Sequence, residues 1–225
     1  MSSEINYKRI QNLSAELTEF WGKIQAFYLD ASVGLSLVRD HASAYQQRVQ
    51  NYLPVEEEDF TGELTFSYEG LLSNDFCTSG IHHAKIKDVT RRNQTDGENF
   101  STLGQLCLVS FYDFWNDYLR REYAIAKGYL SQNERNGEII KEILRKHVKH
   151  NFWGDLRILR NSISHNRGIA GSNIAECKLI KWFHPGDYIS INPEYMRGLF
   201  IAILIYRNEL LREGFPPTLI KIPYR

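Results

Sequence analysis

Leu156-Arg157-Ile158-Leu159-Arg160-Asn161-Ser162-Ile163-Ser164-His165-Asn166-Arg167-Gly168 is the stretch from which the rest of the chain is read. Apolar Leu156, Leu159 and Ile163 recur at helical spacing, and Gly168 is the residue type that closes a helix in the left-handed conformation. The stretch is therefore expected to end a helix, with His165 in its last turn. At about 100° per residue, Asn161 and His165 share one face with Arg157, whereas Arg160 stands roughly 140° round from His165. An Arg and a His needed at one phosphate are then expected to converge in one of two ways. Either the helix loosens just past Ser164, or two copies of it face each other across a dimer axis.

Arg160 to His165 has the form R-N-x-x-x-H, which resembles the signature of the HEPN superfamily of all-α RNA-cleaving and nucleotide-binding domains. The setting adds to the resemblance: a polar Asn directly follows the Arg, the motif sits at a helix end, and long helices flank it. The resemblance implies a mainly α fold, a HEPN-like antiparallel helical bundle. It also implies a metal-independent endoribonuclease with Arg160, Asn161 and His165 as catalytic residues, no cofactor, and a site completed in a homodimer. A role as a toxin or phage-defence effector, with an antitoxin or regulatory partner, follows from the resemblance alone. The alternative within the same family is a catalytically inactive nucleotide-binding or protein-interaction module.

The residues themselves suit that chemistry. RNA is cut without a metal when a base takes the proton from a ribose 2′-OH, which attacks the adjacent phosphate, and another group protonates the departing 5′ oxygen. His165 is the proton carrier suited to neutral pH. Arg160 can grip the phosphate with its planar fork, and Asn161 can orient His165 or hold the phosphate. The products are a 2′,3′-cyclic phosphate and a 5′-hydroxyl. Arg157, Arg167, Lys149 and Lys146 are the candidates for RNA binding. The competing reading makes Arg160 and His165 surface cations that satisfy the carbonyls of a helix end.

The chain has 225 residues, 43% hydrophobic and 13% aromatic, enough to bury a substantial core as one domain spanning 1–225. The polar start and the short apolar runs predict a soluble cytoplasmic protein without a membrane span. Cys77, Cys107 and Cys177 form no Cys-x-x-Cys pair and are expected to be reduced thiols. Net charge is zero, which excludes a globally basic nucleic-acid binder. Charge is unevenly placed, however: Lys141 to Gly168 holds seven Lys or Arg against Glu142 and Asp155, an excess of five positive charges. Glu56-Glu57-Glu58-Asp59 is the acidic counterweight.

Outward from the motif, residues from about Ser14 to Leu53 predict one long or two abutting helices with Gly22 and Gly34 as weak points and Pro54 as the stop. An irregular insertion over about 55–98 follows, with a short strand near Leu64, Phe66 and Tyr68. A helix capped by Asn99 or Ser101 runs to Lys127, its buried stripe expected at Leu103, Leu106, Cys107, Ser110, Phe114, Tyr118 and Leu119. Another starts near Glu134 or Glu138 and breaks around Asn151 to Gly154 before the motif helix. Residues 174–191 predict a β-hairpin turning at Pro185-Gly186. Asn192 then caps a last helix with Pro193 at its first position and Gly214 beyond its end, and the run Leu199 to Leu211 is expected to be fully buried or part of a subunit interface. Cys77, His82 and His83, or His147 and His150, match no zinc spacing, so no metal site is expected. The aromatic set Phe111, Phe114, Trp115 and Tyr118 reads as core rather than a base-stacking platform.

Overall fold

The computed structural model describes residues 5–52, 65–67 and 83–213. It is mainly helical, and among those residues no helix is long and apolar enough to cross a membrane. Cys77, His82, Gly214 and the acidic run 56–59 lie outside the described residues.

The N-terminal expectation resolves to a single helix, α1 (Tyr7–Tyr52), of 46 residues and about 69 Å. It starts seven residues before Ser14 because the Asn6 side chain accepts from the Arg9 amide and Ile10 and Leu13 are already buried. One part of α1 packs Leu13, Leu17 and Tyr28 into the main core. Farther along, Val38 and Ala42 pack on Ile86 and Val89 of α2 (Ile86–Arg92). Two short strands, β1 (Thr65–Ser67) and β2 (His83–Lys85), pair antiparallel with Phe66 opposite Ala84. The strand expected around Phe66 therefore forms, and the two-stranded sheet belongs to the 55–98 insertion.

Helix α3 (Glu98–Phe114) passes through a π-helical turn (Trp115–Leu119) into α4 (Arg120–Ala126). Its N-cap is Gly97, not Asn99 or Ser101; Ser101 is buried inside the helix, and Asn99 donates to Asn93. The buried face centres on Leu103, Gly104, Cys107, Leu108 and Phe111, leaving Leu106 exposed. Gly104 is required there: a Cβ would lie 2.3 Å from the Ile191 carbonyl oxygen. Tyr118 is also partly exposed. Its hydroxyl donates to Glu16 at 2.6 Å and accepts from Arg9 at 2.9 Å, tying the π turn to α1.

Helix α5 (Gly137–His147) is capped by the Asn136 side chain, and α6 (Asn151–His165) carries the motif. The break between them falls at 148–150, slightly before the expected position. Phe152, Trp153, Leu156 and Leu159 of α6 are buried, and Trp153 stacks on Trp115 at 4.8 Å. Helix α7 (Pro193–Glu213) starts as expected, with the Asn192 side chain accepting from Tyr195. It is not buried all round: Leu199, Phe200, Ile203 and Tyr206 face the core, while Ile201 and Ile205 are exposed.

The hairpin expected over 174–191 does not form. Ser172–Glu176 is a 3₁₀ turn, and the amides of Lys178, Leu179 and Ile180 donate to the buried Asp155 carboxylate at 2.9, 2.6 and 2.9 Å. A side chain thus takes the donors a strand partner would have used. The Pro-Gly turn does form, with Gly186 at φ +91° and Asp187 donating to His184. The returning chain pairs with residues 168–170 instead, through the Ile169–Tyr188 bridge.

Candidate active site

The motif helix ends at His165, and the amides of Asn166 and Gly168 both turn back to the Ser162 carbonyl. Left-handed backbone begins one residue before the glycine, at Arg167 (φ +53°), and continues through Gly168 (φ +78°). Gly168 is held to glycine twice over, because a Cβ there would also lie 2.7 Å from the Tyr188 ring. Asn166 donates to the Ile169 carbonyl, and Gln105 of α3 donates to Tyr188 and to the Ile189 carbonyl. The turn behind His165 is fixed on both sides.

Arg160 and His165 meet within one chain. Arg160 Nη1 lies 3.0 Å from His165 Nε2, so the long arginine side chain spans the angular offset that the helix imposes. A guanidinium has only donors, which makes Nε2 the acceptor and places the imidazole proton on Nδ1. The Arg160 Nε edge lies 3.3 Å from Asp113 Oδ1 on α3. Asp113, Arg160 and His165 therefore form a chain from carboxylate through cation to base. His165 is exposed, and Arg160 is half-buried.

The remaining expected residues divide into two groups. Asn161 is exposed and makes no hydrogen bond to His165, while Ser162 is buried and donates to the Ile158 carbonyl. Arg167 and Lys146 are exposed and have no ion-pair or hydrogen-bond partner among the described residues. Arg157 and Lys149, by contrast, line a cavity of about 220 Å³ together with Arg120 and Arg145. Tyr112 forms part of the same wall and is the residue before Asp113. Burial pushes the Tyr112 phenol above its usual range, and the charges of Arg157, Arg120 and Arg160 oppose that rise. This phenol thus lies within the field of both the cavity and the Arg160–His165 pair. Lys141, in the same basic run, pairs with Glu138 instead.

His147 stacks on the Tyr129 ring, and His150 Nε2 lies 3.0 Å from Glu209, so these two histidines have separate surroundings. Among the described residues no group of three or more His, Cys, Asp or Glu is placed to hold a metal ion. Of the aromatic set, Phe111 and Trp115 are core, and Phe114 stacks on Phe20 of α1 at 4.1 Å. Asp113 and Arg120 are the site members that sequence reasoning passed over. For Asp113 the available signal was a carboxylate within an otherwise apolar helical run. No protein-family model, curated protein or solved structure matches the chain.

Proposed function

We propose that the chain is a metal-independent endoribonuclease of HEPN-like architecture, with Arg160 and His165 as its catalytic residues. The observation that carries this reading is the 3.0 Å contact of Arg160 Nη1 with His165 Nε2, at an exposed helix end beside a basic cavity. The base and the phosphate-gripping cation come from the chain itself. Without substrate, the guanidinium occupies the lone pair that the reaction needs. A phosphodiester arriving at Arg160 offers stronger, charged acceptors and draws the fork off the imidazole.

His165 Nε2 then takes the 2′-OH proton as the 2′ oxygen bonds to phosphorus. The bond from phosphorus to the 5′ oxygen breaks, and that oxygen leaves with a proton supplied by solvent. Charge gathering on the phosphate oxygens falls to Arg160, which Asp113 holds by its Nε edge. Arg157, Lys149, Lys146 and Arg167 are assigned to the flanking strand, and Asn161 to the phosphate rather than to His165. A second copy is not needed to bring Arg160 to His165, so the geometric ground for a homodimer falls away. A toxin or defence role, with its antitoxin, rests on the family resemblance.

The test is cleavage of a single-stranded RNA by purified protein in excess EDTA. Continued cleavage, with 2′,3′-cyclic phosphate and 5′-hydroxyl ends, is expected. Activity that EDTA abolishes and magnesium restores sinks the reading.

A further inference from the structure

The cavity between α5, α6 and the start of α4 has a lining of which the ribonuclease reading uses only Arg157 and Lys149. Four cations, Arg120, Arg145, Lys149 and Arg157, contribute to a space of about 220 Å³, and no carboxylate does. Arg145, Lys149 and Arg157 have no ion-pair or hydrogen-bond partner among the described residues. Some cations elsewhere do find partners, Arg9 with Glu16 and Glu122, Lys127 with Glu213, and Lys141 with Glu138, but none of these lines a shared cavity without a carboxylate.

Arg120 is built in rather than loosely exposed. Its guanidinium is half-buried and donates to the Leu144 carbonyl at 3.0 Å and the Val148 carbonyl at 3.2 Å, which fixes the α5–α6 corner. Those neutral acceptors leave its charge uncompensated. Burial lowers its proton affinity, Tyr112 opposes that, and the charge of Arg157 lowers it further, so these two guanidiniums repel each other. Like charges gathered around one partly enclosed space are unfavourable until an anion enters. The floor is aromatic, with Tyr112, Trp115 and Trp153 almost fully buried.

We propose that this cavity is a phosphate-binding site that takes a phosphate group of a nucleotide, either free or within an RNA strand. The fork-bearing arginines of this lining suit a tetrahedral oxyanion, and Lys149 adds a point charge. Arg157 lies three residues before Arg160, about 4.5 Å along the α6 axis. The cavity and the Arg160–His165 pair thus draw on neighbouring turns of one helix. The binding itself does not depend on cleavage.

Calorimetric titration on the His165→Ala chain reads binding without turnover. The probes are inorganic pyrophosphate, ADP and a short oligouridylate. Saturable one-to-one binding of at least one probe is expected. Arg145→Gln and Arg157→Gln should each weaken it about tenfold, as for the loss of one charge-assisted contact. Lys23→Gln, a paired surface lysine on α1, serves as the control for general charge. Binding of pyrophosphate or ADP identifies a free nucleotide as a source of the phosphate. Binding of the oligouridylate alone identifies the strand, and there each arginine variant should flatten the log-affinity slope against log salt by about 0.7. The proposal is overturned if no probe binds, if both arginine variants bind as the parent does, or if Lys23→Gln weakens binding equally. Because heat is measured on a chain that does not turn over, failure here and failure of the ribonuclease reading are separate results.

Discussion

Arg160 Nη1 donates to His165 Nε2 across 3.0 Å, five residues apart on one helix end. This bond places the phosphate-binding cation and the candidate base in each other's first contact, and it assigns each a different loss on mutation. His165→Ala should lower single-turnover cleavage by about 10²–10⁴-fold, the range for losing a general base. RNA affinity should stay nearly intact, since a neutral imidazole adds little to phosphate binding. Arg160→Ala should lose both turnover and affinity, and Arg160→Lys should restore affinity better than rate, because Lys lacks the planar fork. Unchanged turnover in His165→Ala ends the nuclease reading.

Asp113 is expected to act as a positioning residue through Arg160. The pair is partly exposed, at 39% for Asp113 and 27% for Arg160, so solvent screens it and its share of stability is under about 1 kcal/mol. Asp113→Ala should therefore melt close to the parent while kcat falls roughly tenfold, a loss typical of a mispositioned catalytic group. Asp113→Glu should recover part of the rate. A fall in melting temperature matching the fall in rate, without recovery by glutamate, would make the contact purely structural.

The two described cysteines supply a pH signature. Burial pushes the Cys107 thiol up to about 12; Cys177 rises to about 11, through burial first and then the charge of Asp155, with Lys181 opposing. An unfolded thiol titrates near 8.5. The folded chain holds these protons more tightly, so the stabilisation is fully present below about pH 8.5 and is lost as pH rises toward 11 and 12. Buried Tyr28 and Tyr206 and half-buried Tyr123 shift the same way and extend the loss to higher pH. Urea midpoints should fall on the alkaline side of pH 8.5, and Cys107→Ala should flatten part of that limb. Cys107 and Cys177 should react slowly with a thiol reagent at pH 8 in the native protein and quickly once it is unfolded in urea.

Much of the fold was legible because local signals agreed with packing. Asn192-Pro193 set the start of α7, the apolar spacing of Leu156 and Leu159 set the buried side of α6, and His165 does fall in its last turn. What failed depended on partners distant in sequence. The π turn at Trp115–Leu119 and the Arg9–Glu16–Tyr118 network place Tyr118 at the surface, which helical periodicity alone does not foresee. The 140° offset of Arg160 from His165 was correct for Cα positions but ignored the reach of the arginine side chain. Asp113 and Arg120 were invisible as site members, since each acquires its role from a helix outside its own stretch of sequence. The hairpin failed for the same reason: the Pro185-Gly186 turn carried no sign that a carboxylate on α6 would take the amides of 178–180.

That carboxylate gives the last prediction. Asp155 is 2% exposed and accepts three successive backbone amides, Lys178, Leu179 and Ile180, holding the loop after the motif helix against the core. Asp155→Ala leaves those donors without an acceptor, and the Ile180 amide is buried. An unsatisfied buried donor costs about 1–3 kcal/mol, so a loss of about that size is expected in urea denaturation. Asp155→Asn keeps one acceptor oxygen and should lose less. Unlike Asp113, Asp155 is bonded to these loop amides and not to Arg160 or His165, so cleavage below the melting transition should survive in Asp155→Asn. A variant that melts like the parent would show that the loop is held by the packing of Ile174, Cys177 and Ile180 alone.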